Sequence, residues 1–241
     1  MKLKDKIAVI TGGSKGIGKA VAKAFVKEGC YTIICSRNED NLKNTALELE
    51  KFGRIEYIKA DISSKEDVKR LRDFVAGRFR KVDILVNNAS ILGVRAPIAS
   101  YPEDIWEEVI KINLNAQFFV TKSLLPLLLT SRNGSIINVS SSVGRRGKAT
   151  WGAYAVSKFG LEGLTQVLAD ELKSTNVRVN SVNPGGTRTE MRAMAYPEED
   201  PRTLPAPDDI VPVFIYLASD ESVGITGCQF DAREWLNNSS R

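Results

Sequence analysis

Short apolar runs rich in β-branched residues alternate along the chain with longer stretches in which apolar residues recur every three or four positions. The runs KIAVI (6–10), YTIICS (31–36), IEYIKA (55–60), VDILVNN (82–88), GSIINVSS (134–141) and VRVNSVNP (177–184) read as strands. Most are nearly continuous in apolar character, as strands covered on both faces must be. Between them KAVAKAFVKEG, DNLKNTALELEKFG, KEDVKRLRDFVAGRF, PEDIWEEVIKINLNAQFFVTKSLLPLLL and KFGLEGLTQVLADELKS carry the helical period. This alternation predicts an α/β fold, a doubly wound parallel sheet with helices on both faces and its ligands at the carboxyl ends of the strands. GCQFDA is expected to be the last strand. The Pro- and acid-rich stretch PEEDPRTLPAPDD (197–209) reads as an ordered surface loop.

Length, repeats and composition add limits to this pattern. No linker or repeat divides the 241 residues, so one domain is expected over 1–241, with the catalytic half at 83–241 and a polar, mobile tail at 236–241. Lys and Arg outnumber Asp and Glu by 34 to 29, but the excess is scattered, which gives no support to a nucleic-acid partner. The absence of histidine excludes Ser-His-Asp and His-metal chemistry, and no metal site is expected. Cys30, Cys35 and Cys228 are odd in number and lack CxxC spacing, so they read as reduced, mostly buried thiols. The apolar run IAVI behind MKLKDK is too short for a signal peptide or membrane span, and a cytoplasmic protein is expected.

Two constellations carry chemistry. TGGSKGIG follows the first strand and opens the first helix, where Gly12, Gly16 and Gly18 let backbone N–H groups approach a pyrophosphate at a helix N-terminus. With strand before and helix after, this predicts a Rossmann-like dinucleotide site. After the second strand come Ser36 and Arg37 rather than a carboxylate, and Lys15 lies inside the glycine turn. Two cations there would attract the 2′-phosphate that only NADP carries, so NADP(H) is expected over NAD(H), unless both are merely solvated surface charges. Asp61, in KADIS, would accept from the adenine amino group or cap the following helix. The second constellation is Tyr154 and Lys158, four residues apart and so on one helical face. A cation beside the phenol would lower its pKa from about 10 and suit it to proton transfer at a carbonyl oxygen.

With TGGSKGIG, NNAS, SSS and YAVSK in order, the chain resembles the short-chain dehydrogenase/reductase family over nearly its whole length. Hydride exchange between nicotinamide and a carbonyl or secondary alcohol is the activity this implies. The resemblance implies a catalytic group of Asn113, Ser141, Tyr154 and Lys158; Ser141 is preferred to Ser140 or Ser142 because it stands thirteen residues before Tyr154. Ser141 would polarise the carbonyl, Tyr154 would protonate its oxygen and Lys158 would bond the nicotinamide ribose. Asn113, through its main-chain carbonyl and a local helix distortion, would hold a proton-relaying water. The coenzyme set implied by the motifs adds Ser14 and Ile17 in the glycine turn, Ile62 beside Asp61, Asn87 and Ala89 in NNAS, and Pro184, Gly185, Thr187 and Thr189 in NPGGTRT. Ser90 stands where the family usually has Gly.

Two departures from the family stand out. The loop after Thr189 is short, which predicts an open site, and FDAREW replaces the usual C-terminal DGG. The wider wording is similar to a YciK-like subgroup of bacterial oxidoreductases and to 3-oxoacyl-[acyl-carrier-protein] reductases. Candidate substrates are therefore a 3-oxoacyl thioester or another small ketone. Arg145, Arg146 and Lys148 would recruit an acidic substrate or carrier protein, or else be solvated loop charges. Trp151, Met191 and Met194 would line the substrate site or pack in the core or an interface. Ala155, Gly160 and Gly163 would permit close helix approach in a homotetramer or dimer. The competing readings are a catalytically silent NADP-binding regulator or scaffold, and an epimerase or dehydratase, for which the chain has no sugar-nucleotide lobe.

Overall fold

The computed structural model describes residues 1–236. Seven parallel strands form one sheet in the order β3-β2-β1-β4-β5-β6-β7. They are β1 Ile7–Thr11, β2 Tyr31–Ser36, β3 Ile55–Lys59, β4 Ile84–Asn87, β5 Gly134–Val139, β6 Val177–Asn183 and β7 Gln229–Asp231. The helices are α1 Gly16–Lys27, α2 Glu39–Leu49, α3 Lys65–Ala76, α4 Glu103–Ile110, α5 Ala116–Leu129, α6 Gly152–Glu171, α7 Glu190–Ala195 and α8 Pro212–Ala218. All seven predicted strands are present: β2 keeps its predicted bounds, β1 is shifted by one residue to end at Thr11, and the other five are one to three residues shorter than predicted. None of these helices is long and apolar enough to cross a membrane.

Alternation within single strands explains the layering. Ala8 and Ile10 of β1 face a core with Val21, Phe25 and Phe214, whereas Ile7 and Val9 face one with Leu71, Val120 and Leu168. Successive strand side chains point to opposite faces, so an unbroken apolar run serves both layers. Each fully buried Phe or Leu contributes roughly 1.5–3 kcal/mol. Strand order reverses between β1 and β4, and their carboxyl ends, Thr11 and Asn87, open the crevice in which sheets of this kind bind ligands.

The segment after Thr189 differs from its prediction. It contains α7, capped by the Thr189 side chain, and two 3₁₀ turns at Pro201–Thr203 and Pro207–Ile210. Cys30 and Cys35 are buried as expected, but Cys228 is exposed. Of the predicted mobile tail, Leu236 is partly buried against the core and 237–241 lie outside the described residues.

Candidate active site

The glycine turn is shaped by backbone crowding. Gly12 has φ +66°, and a Cβ on Gly18 would fall 2.3 Å from the Gly12 carbonyl oxygen, so a larger residue cannot keep this geometry. Lys15, at the N-cap of α1, offers no side-chain acceptor to the first N–H groups, which suits them to phosphate oxygens. Ser14 lends its carbonyl to Thr45, and Ile17 packs on the core. Asn88, which the sequence reading passed over, holds the turn through Nδ2, donating to the carbonyls of Thr11 (2.9 Å) and Gly12 (3.2 Å). The neighbouring Asn87 donates its Nδ2 to Thr121 (2.9 Å) and Asn138 (2.8 Å), while its buried Oδ1 has no hydrogen-bond partner among the described residues. Ala89 donates its N–H to Thr11 Oγ1, its carbonyl accepting from Gln117.

The two cations of the adenosine end differ. Arg37 is exposed and makes no ion pair among the described residues, beside Ser36, whose hydroxyl donates to the Asn38 carbonyl. Lys15 instead pairs with Glu190 of α7 at 2.6 Å. Asp61 accepts from the Ser63 N–H (2.9 Å), and the cap of α3 is Ser64, so Asp61 is no helix cap. Ile62 beside it is buried.

At the other end, Tyr154 and Lys158 do share one face of α6, both buried, with Lys158 Nζ 5.6 Å from the Tyr154 ring centroid. Ser141, at the end of β5, lies in hydrogen-bonding reach of the phenol. Asn113 sits in a π-helical segment, Lys111–Asn115, between α4 and α5. Its amide accepts from the Ile91 N–H and donates to the Ile91 carbonyl, both at 2.8 Å, and donates to Ser157 at 3.2 Å. The resemblance implied such a distortion. A π segment turns main-chain carbonyls out of the helical ladder.

The expected depression of the phenol pKa does not occur in this arrangement. Burial pushes Tyr154 up to about 12, with only the Ser141 hydrogen bond pulling the other way. Lys158 is itself brought down to about 8 by burial, opposed by Glu162. The reason is positional: Lys158 Nζ donates to the Val139 carbonyl at 2.7 Å rather than to the phenol.

The site is also covered rather than open. Trp151 packs on Tyr154 (centroids 5.6 Å) and on Tyr196 beyond α7 (5.9 Å). Arg192 stacks on Tyr196 at 3.9 Å while pairing with Glu199 through two 2.6 Å bonds. Arg95 lies over both rings and donates to the Ala195 carbonyl. Met191 packs in this cluster, but Met194 is 68% exposed and walls nothing. RAMAYPEE hides the cover because its proline and acids read as loop, although Arg192 and Tyr196 stand at helical spacing. A cavity of about 410 Å³ lies among Arg95, Ala195, Tyr196, Pro197, Glu198 and Glu199, and its lining includes none of the four predicted catalytic residues.

The NPGG turn is held from the C-terminus. Arg233 donates to the Gly186 carbonyl and lies against Gly185, while Thr187 is buried and donates to Pro184, and Thr189 caps α7. Arg145 is not a rim charge: it pairs with Glu162 and Asp231, both at 3.1 Å. Carrier recruitment would fall to Arg146, which is exposed, and to Lys148, which donates to the Tyr196 hydroxyl.

Comparison with known proteins agrees with this arrangement. Residues 6–200 match the short chain dehydrogenase family model. The chain is 43% identical over 235 residues to the uncharacterized oxidoreductase YciK of Escherichia coli, covering 96% of this chain and 93% of that one. It is 36% identical to the 3-oxoacyl-[acyl-carrier-protein] reductase FabG of Thermotoga maritima, covering 94% and 96%. A Shigella flexneri short chain dehydrogenase complexed with NADP superposes with a TM-score of 0.94 at 42% identity, covering 96% and 98%. An Escherichia coli short chain dehydrogenase complexed with NADPH gives 0.93, again at 42%, over the same shares.

Proposed function

The chain belongs to the short chain dehydrogenase family and is an oxidoreductase, and from that premise we propose that it is NADP(H)-dependent, interconverting a ketone and a secondary alcohol with Tyr154 as acid and base. The observation that carries this reading is a phenol and an ammonium buried together on one face of α6, with the partly buried Ser141 hydroxyl acting on the phenol. The crowded turn at Gly12 and Gly18 and the N–H groups of α1 fit a pyrophosphate. Gly16, Ser14, Lys15 and Ile17 complete that cradle, Ser36 and Arg37 meet the 2′-phosphate, Asp61 and Ile62 the adenine, and Asn87 and Ala89 the ribose side. Pro184, Gly185, Thr187 and Thr189 take the nicotinamide end.

When bound, the nicotinamide supplies or accepts the hydride. The chain's own part is to hold the oxygen and move its proton. Ser141 donates to the substrate oxygen and Tyr154 delivers the proton, so the developing charge meets donors already in place. Lys158 must leave the Val139 carbonyl for the phenol and the ribose hydroxyls, because without a cation at hand burial leaves Tyr154 too weak an acid. Asn113 keeps the π segment in register with α6 through Ser157 and presents its main-chain carbonyl to a relay water. A 3-oxoacyl thioester or another small ketone is the substrate proposed. NADPH oxidation against a panel of 3-oxoacyl thioesters, diketones and sugar ketones tests this: coenzyme binding with no turnover of any carbonyl would favour a silent NADP-binding regulator. The intact catalytic set favours the enzyme.

Coenzyme choice rests on Arg37. Its guanidinium would make charge-assisted bonds to the 2′-phosphate worth about 1.5–3 kcal/mol each. Arg37→Glu should therefore shift the ratio of kcat/KM for NADPH over NADH by about 10- to 100-fold toward NADH. A ratio within about twofold of wild type would remove Arg37 from the site. Lys15→Ala should do less, since Lys15 is shared with Glu190.

A homotetramer, or a dimer, is proposed from α6. Gly160 is filled by Leu114 of the same chain and Ala155 is buried, so neither receives a partner helix. Val156, Phe159 and Val167 are exposed along one stripe with Gly163, which has open space before it. Light scattering should give a multiple of 26.5 kDa, and a monomer would overturn the assembly.

A further inference from the structure

Beside the lysine of α6 three charged side chains, Glu162, Arg145 and Asp231, are gathered into one knot. Glu162, one helical turn beyond Lys158, is buried, and its carboxylate accepts from Arg145 Nε (3.1 Å), Ser181 Oγ (2.6 Å) and Gln229 Nε2 (3.0 Å). Arg145 follows the 3₁₀ turn Ser142–Gly144 that begins at Ser141. Its other nitrogens donate to Asp231 and to the Phe230 carbonyl, each at 3.1 Å. Asp231 also accepts from Asn183 of β6. The serine-bearing turn, α6, β6 and β7 are thereby tied at one point, and FDA, standing where relatives carry DGG, supplies the last tie.

Two features link this knot to the reacting groups. A Cβ on Gly144 would fall 2.7 Å from Lys158 Cβ, so the turn is pressed against the lysine stem and cannot shift without disturbing it. Of the charged groups in the knot, Glu162 on the same helix acts on Lys158, whereas Arg145 from the turn pairs with Glu162 and with Asp231 of β7; Tyr154, one turn before Lys158, is a neutral phenol. Without Glu162, Arg145 would keep Asp231 and Lys158 would lose the one carboxylate that acts on it.

We propose that Glu162 is a positioning residue of this reaction: through Arg145 its carboxylate fastens the Ser141-bearing turn to the helix of Tyr154 and Lys158, and it supplies the countercharge for the Lys158 ammonium. This rests on the role proposed for Lys158. A buried carboxylate with its cation is on average no better for stability than an apolar replacement, so its use is sought in the site it serves. The influence of Glu162 on Lys158, opposing that of burial, is consistent with it.

Glu162→Gln keeps the shape and removes the charge. With NADPH and the best ketone of the panel, the alkaline limb of the kcat profile should move down by about one pH unit. The variant should be about tenfold slower than wild type above that limb, yet within about twofold at pH ~6.5. Glu162→Asp should bring the limb back even where kcat stays low. A second readout needs no turnover. The pH window in which the apoprotein's urea stability differs in slope from that of Lys158→Met should move down with the limb. An equal loss at every pH, or an unmoved window, overturns the proposal and leaves Glu162 a brace. A fully active Lys158→Met would instead overturn the role of Lys158, which the window alone does not test. If Glu162→Gln fails to fold, Asp231→Asn takes its place: a smaller shift in the same direction supports the proposal and none overturns it.

Discussion

Tyr154→Phe should abolish carbonyl reduction, lowering kcat by about 10²–10⁴-fold, the range of a general acid, while NADPH binds within about twofold of wild type. The split follows from where the phenol sits. Its ring packs on Trp151, and Phe preserves that contact, so the fold and the glycine turn are untouched. What is lost is one hydroxyl, whose pKa Ser141 lowers against burial, that would hand a proton to the substrate oxygen. Lys158→Met should lower kcat comparably and also weaken coenzyme binding, because the ammonium is assigned to the ribose as well. Coenzyme affinity is measured by NADPH fluorescence and turnover by absorbance. A Tyr154→Phe protein with near wild-type turnover would show that another group supplies the proton, and the assignment would fail.

The sheet was legible because its central strands, β1, β4 and β5 above all, are buried throughout and therefore written in nearly unbroken apolar runs. The glycine turn was legible because backbone crowding admits no other residue, and Tyr154 with Lys158 because helical spacing is a local property. What escaped depends on partners distant in sequence. Arg145 looked like a loop charge because Asp231 lies 86 residues away and Glu162 reads as an ordinary helix carboxylate. Lys15 looked free because its partner Glu190 lies 175 residues away in sequence. The cover over Tyr154 was missed because α7 is a single capped turn or two followed by proline, too short to establish a period, and its stability comes from Tyr196 stacking on Trp151 and Arg192. The assumption about the phenol failed for a physical reason: proximity at i and i+4 fixes the backbone relation, not the hydrogen bond the ammonium prefers.

Lys158 should also leave a mark on stability that no other group in the site can mimic. Its pKa falls from 10.5 to about 8 on folding because burial strips water from the ammonium. Below pH 8 folded and unfolded chains both hold the proton, and the fold bears the whole expense of a buried cation. Between 8 and 10.5 only the unfolded chain binds it, so stability rises with pH at about 1.4 kcal/mol per unit, to a ceiling of roughly 3 kcal/mol. Opposing groups overlap this window. Cys30, Cys35 and Tyr154 are each raised to about 12, so their contributions are lost as pH climbs through the alkaline range. The net curve of the wild type therefore need not rise, and the quantity to measure is its difference from Lys158→Met, in which those groups cancel. Urea midpoints taken from pH 7 to 10.5 should show the variant more stable at pH 7, with the gap closing as the pH rises. A gap independent of pH would mean that the lysine is hydrated in the folded protein, and it would take with it the view that the site keeps a destabilising charge in readiness for the coenzyme. Functional sites commonly retain such groups at the expense of stability. Adding NADP should then restore part of the wild-type deficit at pH 7, since binding to the folded state alone stabilises it in proportion to the logarithm of ligand concentration.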